Sequence, residues 1–145
     1  MKIAFACDHA GYLLKDTILE YLKEKRMEVL DLGTDSKESV DYPDYGKKLG
    51  LCVSNKEADL GILVCGTGIG ISLACNKVKG IRAACVSEPY SAKMARLHND
   101  CNVISFGSRV IGDEMAKMIL DAFLFTSFEG GRHQRRVDKI MAIEE

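Results

Sequence analysis

The chain lacks an excess charge of either sign. Twenty Lys and Arg against 21 Asp and Glu leave a formal net charge of −1 at pH 7. No basic field exists to draw nucleic acid or an anionic membrane. Long apolar runs are missing too, and none approaches the ~20 residues that a membrane span needs. The opening MKIAFACDHAG is too short and too polar for a signal peptide. Six cysteines are present, yet none forms a C-x-x-C pair, so neither a redox motif nor a zinc ribbon is written here. Reduced thiols in a cytoplasmic setting are the expectation. Histidines number only three, His9, His98 and His133, and no His/Cys spacing resembles a metal ligand set. Low-complexity linkers, composition breaks and internal repeats are absent. The 145 residues are expected to form one domain, 1–145, long enough for a real core.

What is present is organised around Gly61–Gly70, GILVCGTGIG. Ile62, Leu63 and Val64 read as a buried parallel strand. Cys65 ends it, and glycines follow at Gly66, Gly68 and Gly70. Ile71, Leu73, Ala74 and Val78 then continue at helical spacing. Cys65 is therefore expected at the carboxyl end of a strand, before a glycine-rich turn into a helix, where ligands bind in open α/β sheets. Without side chains on the glycines, backbone N–H groups can close around an anion or oxyanion. A thiol there meets the positive end of the helix dipole, which favours thiolate. Cys65 is a candidate base or nucleophile. The alternative is a small buried hydrophobe beside a tightly packed turn.

Further strands are expected at Lys2–Cys7, Glu28–Leu32, Ile81–Val86 and Cys101–Phe106. Helices are expected on the stripe Leu13, Leu14, Ile18, Tyr21 and Leu22, at Tyr45–Ser54, from Pro89 to His98, at Ile111–Phe125 and at Arg132–Ile143. Asp35–Asp44, with Tyr42 and Pro43, reads as a loop. Alternating strands and helices imply an α/β fold, a Rossmann-like three-layer sandwich with a five-stranded parallel sheet and an extra C-terminal helix. Loops after strands one, three and five should share one sheet edge. Asp8 and His9, the Cys65 loop, and Ser108-Arg109 would meet there. The apolar positions of 132–143 need a surface to cover, either the chain's own sheet or a partner subunit.

The loop matches two nucleotide motifs poorly. G-x-G-x-x-G would need glycine where Ile71 stands, although Glu88 lies at the spacing of a ribose-binding acid. A Walker A loop fails at Gly70-Ile71-Ser72. A small-anion cradle fits better. Arg132 and Arg136 share a helical face and make a fork for a phosphate monoester, or else a solvated basic face. Arg109 is a third phosphate partner or an ion pair to Asp113. His98 ends a helix, where the carbonyl dipole favours cationic groups and suits proton transfer, or it is a cap. Asp8-His9 either caps the first helix or aims a carboxylate and an imidazole at a ligand. Together these groups fit a small phosphorylated sugar or carbonyl compound.

At these residues the chain resembles the type B ribose-5-phosphate isomerases, within a wider family that includes galactose-6-phosphate isomerase subunits. The matching segments are Cys7–Gly11, Asp41–Asp44, Cys65–Gly70, Asn76–Val78, Gly80–Ala83, His98–Asp100, Gly107–Gly112 and Glu129–Arg136. The resemblance implies interconversion of ribose 5-phosphate and ribulose 5-phosphate, with no metal or cofactor. It implies a homodimer, or a dimer of dimers, with sites at the interface and 132–143 near it. Cys65 would be the base, since Ala74 and Cys75 stand where other members carry a glutamate. His98 would open the sugar ring with Asp8 nearby, and Thr67 would relay protons. Amides of Gly66, Thr67, Gly68, Ile69 and Gly70 would hold the developing oxygen charge. Arg132, Arg136, Arg109 and His9 would bind phosphate, and Tyr42 and Asn99 the sugar hydroxyls. A hexose 6-phosphate isomerase, or a non-catalytic phosphate-binding module, are the rival readings.

Overall fold

Strand β1 (Lys2–Cys7) divides its side chains between two cores. Ile3, Phe5 and Cys7 enter one, Ala4 and Ala6 the other, because successive residues of a strand point to opposite faces. Both faces are apolar, as a sheet covered by helices on each side requires. In this computed structural model residues 1–144 are described; Glu145, the last position of the expected domain, lies outside them. The remaining strands are β2 (Glu28–Asp31), β3 (Leu60–Cys65), β4 (Ala83–Cys85) and β5 (Val103–Gly107). They form one five-stranded sheet in the order β2-β1-β3-β5-β4, and every pairing is parallel.

Helices α1 (Lys15–Glu24), α4 (Pro89–Asn99) and α5 (Asp113–Leu124) cover the first face. Ile18, Leu22, Ala92, Ala95, Ile119 and Phe123 pack there on Ile62 and Ile104. Helices α2 (Tyr42–Ser54) and α3 (Ile69–Asn76) cover the second, through Leu49, Val53, Ile71 and Cys75. Each fully buried Leu, Ile or Phe contributes roughly 1.5–3 kcal/mol of transfer free energy. Helix α6 (Arg132–Ala142) lies outside the sandwich, with His133 and Val137 buried. The expected three-layer fold and five-stranded parallel sheet are both realised.

The topology positions the site. From β1 the chain moves outward to β2, then returns past β1 to β3 and on towards β4 and β5. The direction reverses between β1 and β3, and a crevice opens beyond their carboxyl ends. Asp8-His9 follows β1, and Cys65–Gly70 follows β3.

Most element ends shift by one or two residues, and two boundaries and one residue's role differ more. Helix α2 begins at Tyr42, not Tyr45, because Asp41 is extended and Pro43 stands in the first turn, where its fixed φ suits a helix start. Tyr42 therefore belongs to a helix and not to the loop. The fourth strand is shortened to Ala83–Cys85. As an edge strand it pairs only with β5, and Arg82 N–H turns to the Asn102 carboxamide instead, at 2.8 Å. Glu88 is the N-cap of α4, its carboxylate accepting the Ser91 N–H at 2.9 Å, so the acid at ribose-binding spacing is occupied structurally. Those hydrogen bonds from Ser91 hold its carboxyl below the usual range.

Lys15 is a buried charge with full compensation. Its ammonium donates to the Thr34 carbonyl at 2.8 Å and to Asp35 at 2.9 Å, with Asp31 at 3.0 Å. Burial opposes its charge, but bonds to Asp35 and Asp31 outweigh that and raise its pKa. The cluster ties α1 to the end of β2, where the segment leading to Tyr42 begins.

At the turn into α1, a Cβ on Gly11 would overlap the Val64 carbonyl. Backbone cannot yield as a flexible side chain does. Gly11→Ala is expected to lower stability by about 1–3 kcal/mol and the thermal midpoint by a few degrees. An unchanged midpoint in calorimetry would show that the turn can retreat from β3.

Candidate active site

Cys65 is 4% exposed, at the end of a strand buried along its whole length. The turn after it is shaped by close approach to β5. Gly68 adopts φ +81°, a region that L side chains rarely occupy. A Cβ there would lie 2.7 Å from the Phe106 backbone, and one on Gly107 would lie 2.6 Å from the Gly66 carbonyl oxygen. Ser108 N–H donates to the Cys65 carbonyl at 2.9 Å and Arg109 N–H to the Gly66 carbonyl at 3.1 Å. The buried Ser105 hydroxyl donates to the Gly68 carbonyl at 2.6 Å. So held, the turn presents the Gly68 N–H to the Cys65 sulfur at 3.1 Å. The Thr67 hydroxyl accepts the Ile69 N–H at 3.2 Å, and the first-turn amides of α3 face the opening without helix partners.

Asp8 and His9 form the opposite wall. One oxygen of the buried Asp8 carboxylate accepts the N–H groups of Ala10 (3.0 Å) and Gly11 (2.9 Å). Asp8 is thus a turn cap and a pocket residue at once. His9 Nδ1 accepts the Val40 N–H at 3.1 Å, which leaves its proton on Nε2 as a donor. Arg109 lies across Gly66, where a Cβ would meet its guanidinium at 3.1 Å. The alternative pair with Asp113 is not made; Asp113 accepts the Thr17 hydroxyl instead at 3.2 Å. No carboxylate among the described residues pairs with Arg109. Tyr42 packs against Gly70, leaving no room for a side chain there. Asp8, His9, Tyr42, Cys65, Gly66, Thr67, Ile69, Gly70 and Arg109 line one pocket of about 510 Å³, with Leu73 at its rim. That volume suits a small metabolite.

A family model described as Ribose/Galactose Isomerase matches residues 3–140. The chain belongs to the ribose/galactose isomerase family. It is 58% identical over 144 residues to ribose-5-phosphate isomerase B of Escherichia coli strain K12, covering 99% of this chain and 97% of that protein. Its fold is similar to that of ribose-5-phosphate isomerase B from Clostridium thermocellum, with a TM-score of 0.98, 51% identity, and 99% and 97% of the two chains covered. It is similar as well to ribose-5-phosphate isomerase B of Mycoplasma genitalium with bound ribulose-5-phosphate, with a TM-score of 0.93, 46% identity, and 99% and 95% covered.

Within this ribose/galactose isomerase chain, four expected site residues lie away from the pocket. Helix α4 runs back against the strand direction, so His98 and Asn99 precede β5 at the amino edge of the sheet. Cys65 aligns with Gly107, the last residue of β5. The length of that strand, roughly 15 Å at ~3.3 Å per residue, separates the two. Arg132 and Arg136 stand exposed on α6, which packs on α4. There the His98 ring stacks on His133, centroids 4.2 Å apart, and Glu129 approaches both imidazoles. Burial and then His98 and Arg132 hold the His133 pKa below its usual value. Spacing in the sequence disclosed no metal set, yet the fold brings these three possible ligands together.

Sequence reasoning missed Ser105, hidden within an apolar strand, and Leu73. Glu129 and His133 stand four apart, the one signal that could have paired them. The thiols also separate by environment. Burial pushes Cys7 and Cys75 up to about 12 and Cys101 to about 11, so they remain protonated at neutral pH. Cys85 is exposed, its sulfur 3.6 Å from the Thr67 carbonyl, and burial of its thiol and then Cys65 raise its pKa. Iodoacetamide at neutral pH is expected to modify Cys65 before Cys7, Cys75 and Cys101, as read by peptide mass mapping. Equal labelling of all four would show that Cys65 has no special environment.

Proposed function

We propose that the protein is an aldose–ketose isomerase interconverting D-ribose 5-phosphate and D-ribulose 5-phosphate, as a homodimer with composite sites. The observation that carries this reading is the Cys65 sulfur held 3.1 Å from the Gly68 amide, in a pocket that also gathers Asp8, His9 and Arg109. Relatives named ribose-5-phosphate isomerase B support the pentose as substrate. The six free thiols suit a reducing compartment, and we assign the enzyme to the cytoplasm. No helix of the described residues is long and apolar enough to cross a membrane.

The chemistry needs groups that one chain keeps apart. Cys65 as thiolate removes the C2 proton of the open-chain aldose and returns it to C1 through a cis-enediolate. Amides of Gly66–Gly70 bind the oxygen on which charge develops; a donor of this kind contributes about 3 kcal/mol. Thr67 relays the hydroxyl proton. Ring opening needs an acid and base at the anomeric centre, and His98 supplies it with Asp8 beside it. Arg109 and His9 hold the phosphate from the pocket's own chain. His98, Asn99, Arg132 and Arg136 reach the pocket from the second chain. A two-fold axis places the amino-edge cluster of each copy against the carboxyl-edge pocket of the other. Exposed Ile69 and Leu73 beside the pocket, and Ile140 and Ile143 on the tail, supply apolar surface for that contact. Binding energy from the remote phosphate then aligns the reacting carbons.

Ribose 5-phosphate turnover is the direct test, with allose 6-phosphate in parallel. Turnover of the hexose alone would change the substrate, and turnover of neither would end the isomerase reading. Cys65→Ala is expected to lower kcat by at least roughly 10²–10⁴-fold with the melting profile retained. Arg136→Ala should chiefly raise KM. For the composite site, mixed Cys65→Ala and His98→Asn chains are expected to recover about a quarter of wild-type activity. Half the dimers then carry both chains, each with one intact site of two. No recovery in verified mixed dimers would place all catalytic groups in one chain.

A further inference from the structure

The amino-edge cluster holds an unresolved polar problem. The His133 side chain is 8% exposed, and its buried Nε2 has no hydrogen-bond partner. A buried nitrogen left unpaired is unfavourable. It points at the Glu129 carboxylate, but Oε2 stands 3.8 Å away, too far for a hydrogen bond. His98 Nε2 points at the same oxygen from 3.7 Å. One ligand atom from each residue lies within 4.8 Å of the other two. Three donors thus converge without bonding one another.

We propose that His98, Glu129 and His133 form an inhibitory binding site for a divalent transition-metal ion of the zinc type. Bonds of 2.0–2.1 Å in a tetrahedral site put ligand atoms about 3.3 Å apart. The two observed approaches to Glu129 exceed that by roughly half an ångström. Glu129 is 50% exposed and His98 38% exposed, so both arms can close while the packed His133 stays fixed. The two rings stack with their planes 11° apart, so the partly exposed His98 ring must leave the stack and turn its in-plane lone pair towards the ion. Two imidazoles and a carboxylate select zinc, cobalt, nickel or copper over magnesium or calcium. The fourth position stays open to water.

Of the charged groups nearby, Arg132 and Arg136 lie exposed on α6 and oppose a cation weakly. Arg96 is engaged by Asp100 and the Cys101 carbonyl. The functional consequence rests on the isomerase reading above: a metal on His98 Nε2 occupies the atom that would move the ring-opening proton.

Isothermal titration of the full chain with zinc chloride, and cobalt absorption spectra, test the site without reference to activity. One high-affinity ion per chain is expected. Glu129→Gln and His133→Gln should each weaken it at least tenfold, while Cys85→Ser leaves it unchanged. Unaltered affinity in both ligand variants would overturn the proposal. Should His133→Gln fail to fold, Glu129→Gln decides alone, because that side chain is half exposed. In the ribose 5-phosphate assay, zinc should inhibit wild type reversibly by chelator and inhibit Glu129→Gln at least tenfold less strongly. Zinc bound with turnover unchanged would overturn the inhibition and the role given to His98, and leave the substrate assignment standing.

Discussion

The contact on which the rest depends is backbone against backbone, where the Gly66–Gly70 turn rests on the end of β5. Gly68 and Gly107 leave no Cβ between the two segments. The Ser105 hydroxyl and the amides of Ser108 and Arg109 fasten the turn to the strand. This seating decides where the Gly68 amide points, and therefore how the Cys65 sulfur is polarised. It draws Arg109 across Gly66 as well, because the guanidinium follows directly from the strand end that supports the turn. Catalytic geometry of this kind tolerates little drift, and close-packed backbone is less compliant than side chains on a loop.

A parallel sheet imposes a second condition. Each connecting helix returns the chain from the carboxyl edge to the amino edge, so residues at helix ends lie a full strand length from residues at strand ends. Cys65, Asp8, His9 and Arg109 belong to the first edge. His98, Glu129 and His133 belong to the second. A single copy of this fold therefore keeps the two groups of polar residues on opposite edges of the sheet. In the proposed homodimer one two-fold operation would complete both sites at once. The apolar side chains left exposed on α3 and α6 are of the type that such pairing covers.

Burial distributes chemical roles among residues of one kind. Among six thiols, Cys7, Cys75 and Cys101 are pushed far above neutral pH by their apolar surroundings and serve as small core residues. Cys65 is buried as well, but it is the one met by a glycine-turn amide. Among three histidines, His9 has its tautomer set by Val40, whereas His133 is buried with a nitrogen left over. That leftover nitrogen lies beside the proposed ring-opening group, and this proximity links a metal ion to the isomerase chemistry.

Much of this protein was legible in the sequence alone. Apolar runs marked β1, β3 and β5, the last two closed by glycine, and their alternation with helical stripes implied the parallel sheet. The shared edge of Asp8-His9, Cys65–Gly70 and Ser108-Arg109 followed, because the handedness of crossovers leaves few topologies. Local signals did less at boundaries: Pro43 started α2 earlier than its apolar stripe suggested, and an unpaired edge shortened β4. Glu88 stood at the spacing of a ribose-binding acid, and only its bond to Ser91 shows it to be a cap. What the fold alone decided was distance. His98 and Arg136 carry the right chemistry in the right order, but order along a chain does not say which edge of a sheet a residue reaches. Nor does it reveal that His98 meets Glu129 and His133, since that contact is made by α6 packing on α4.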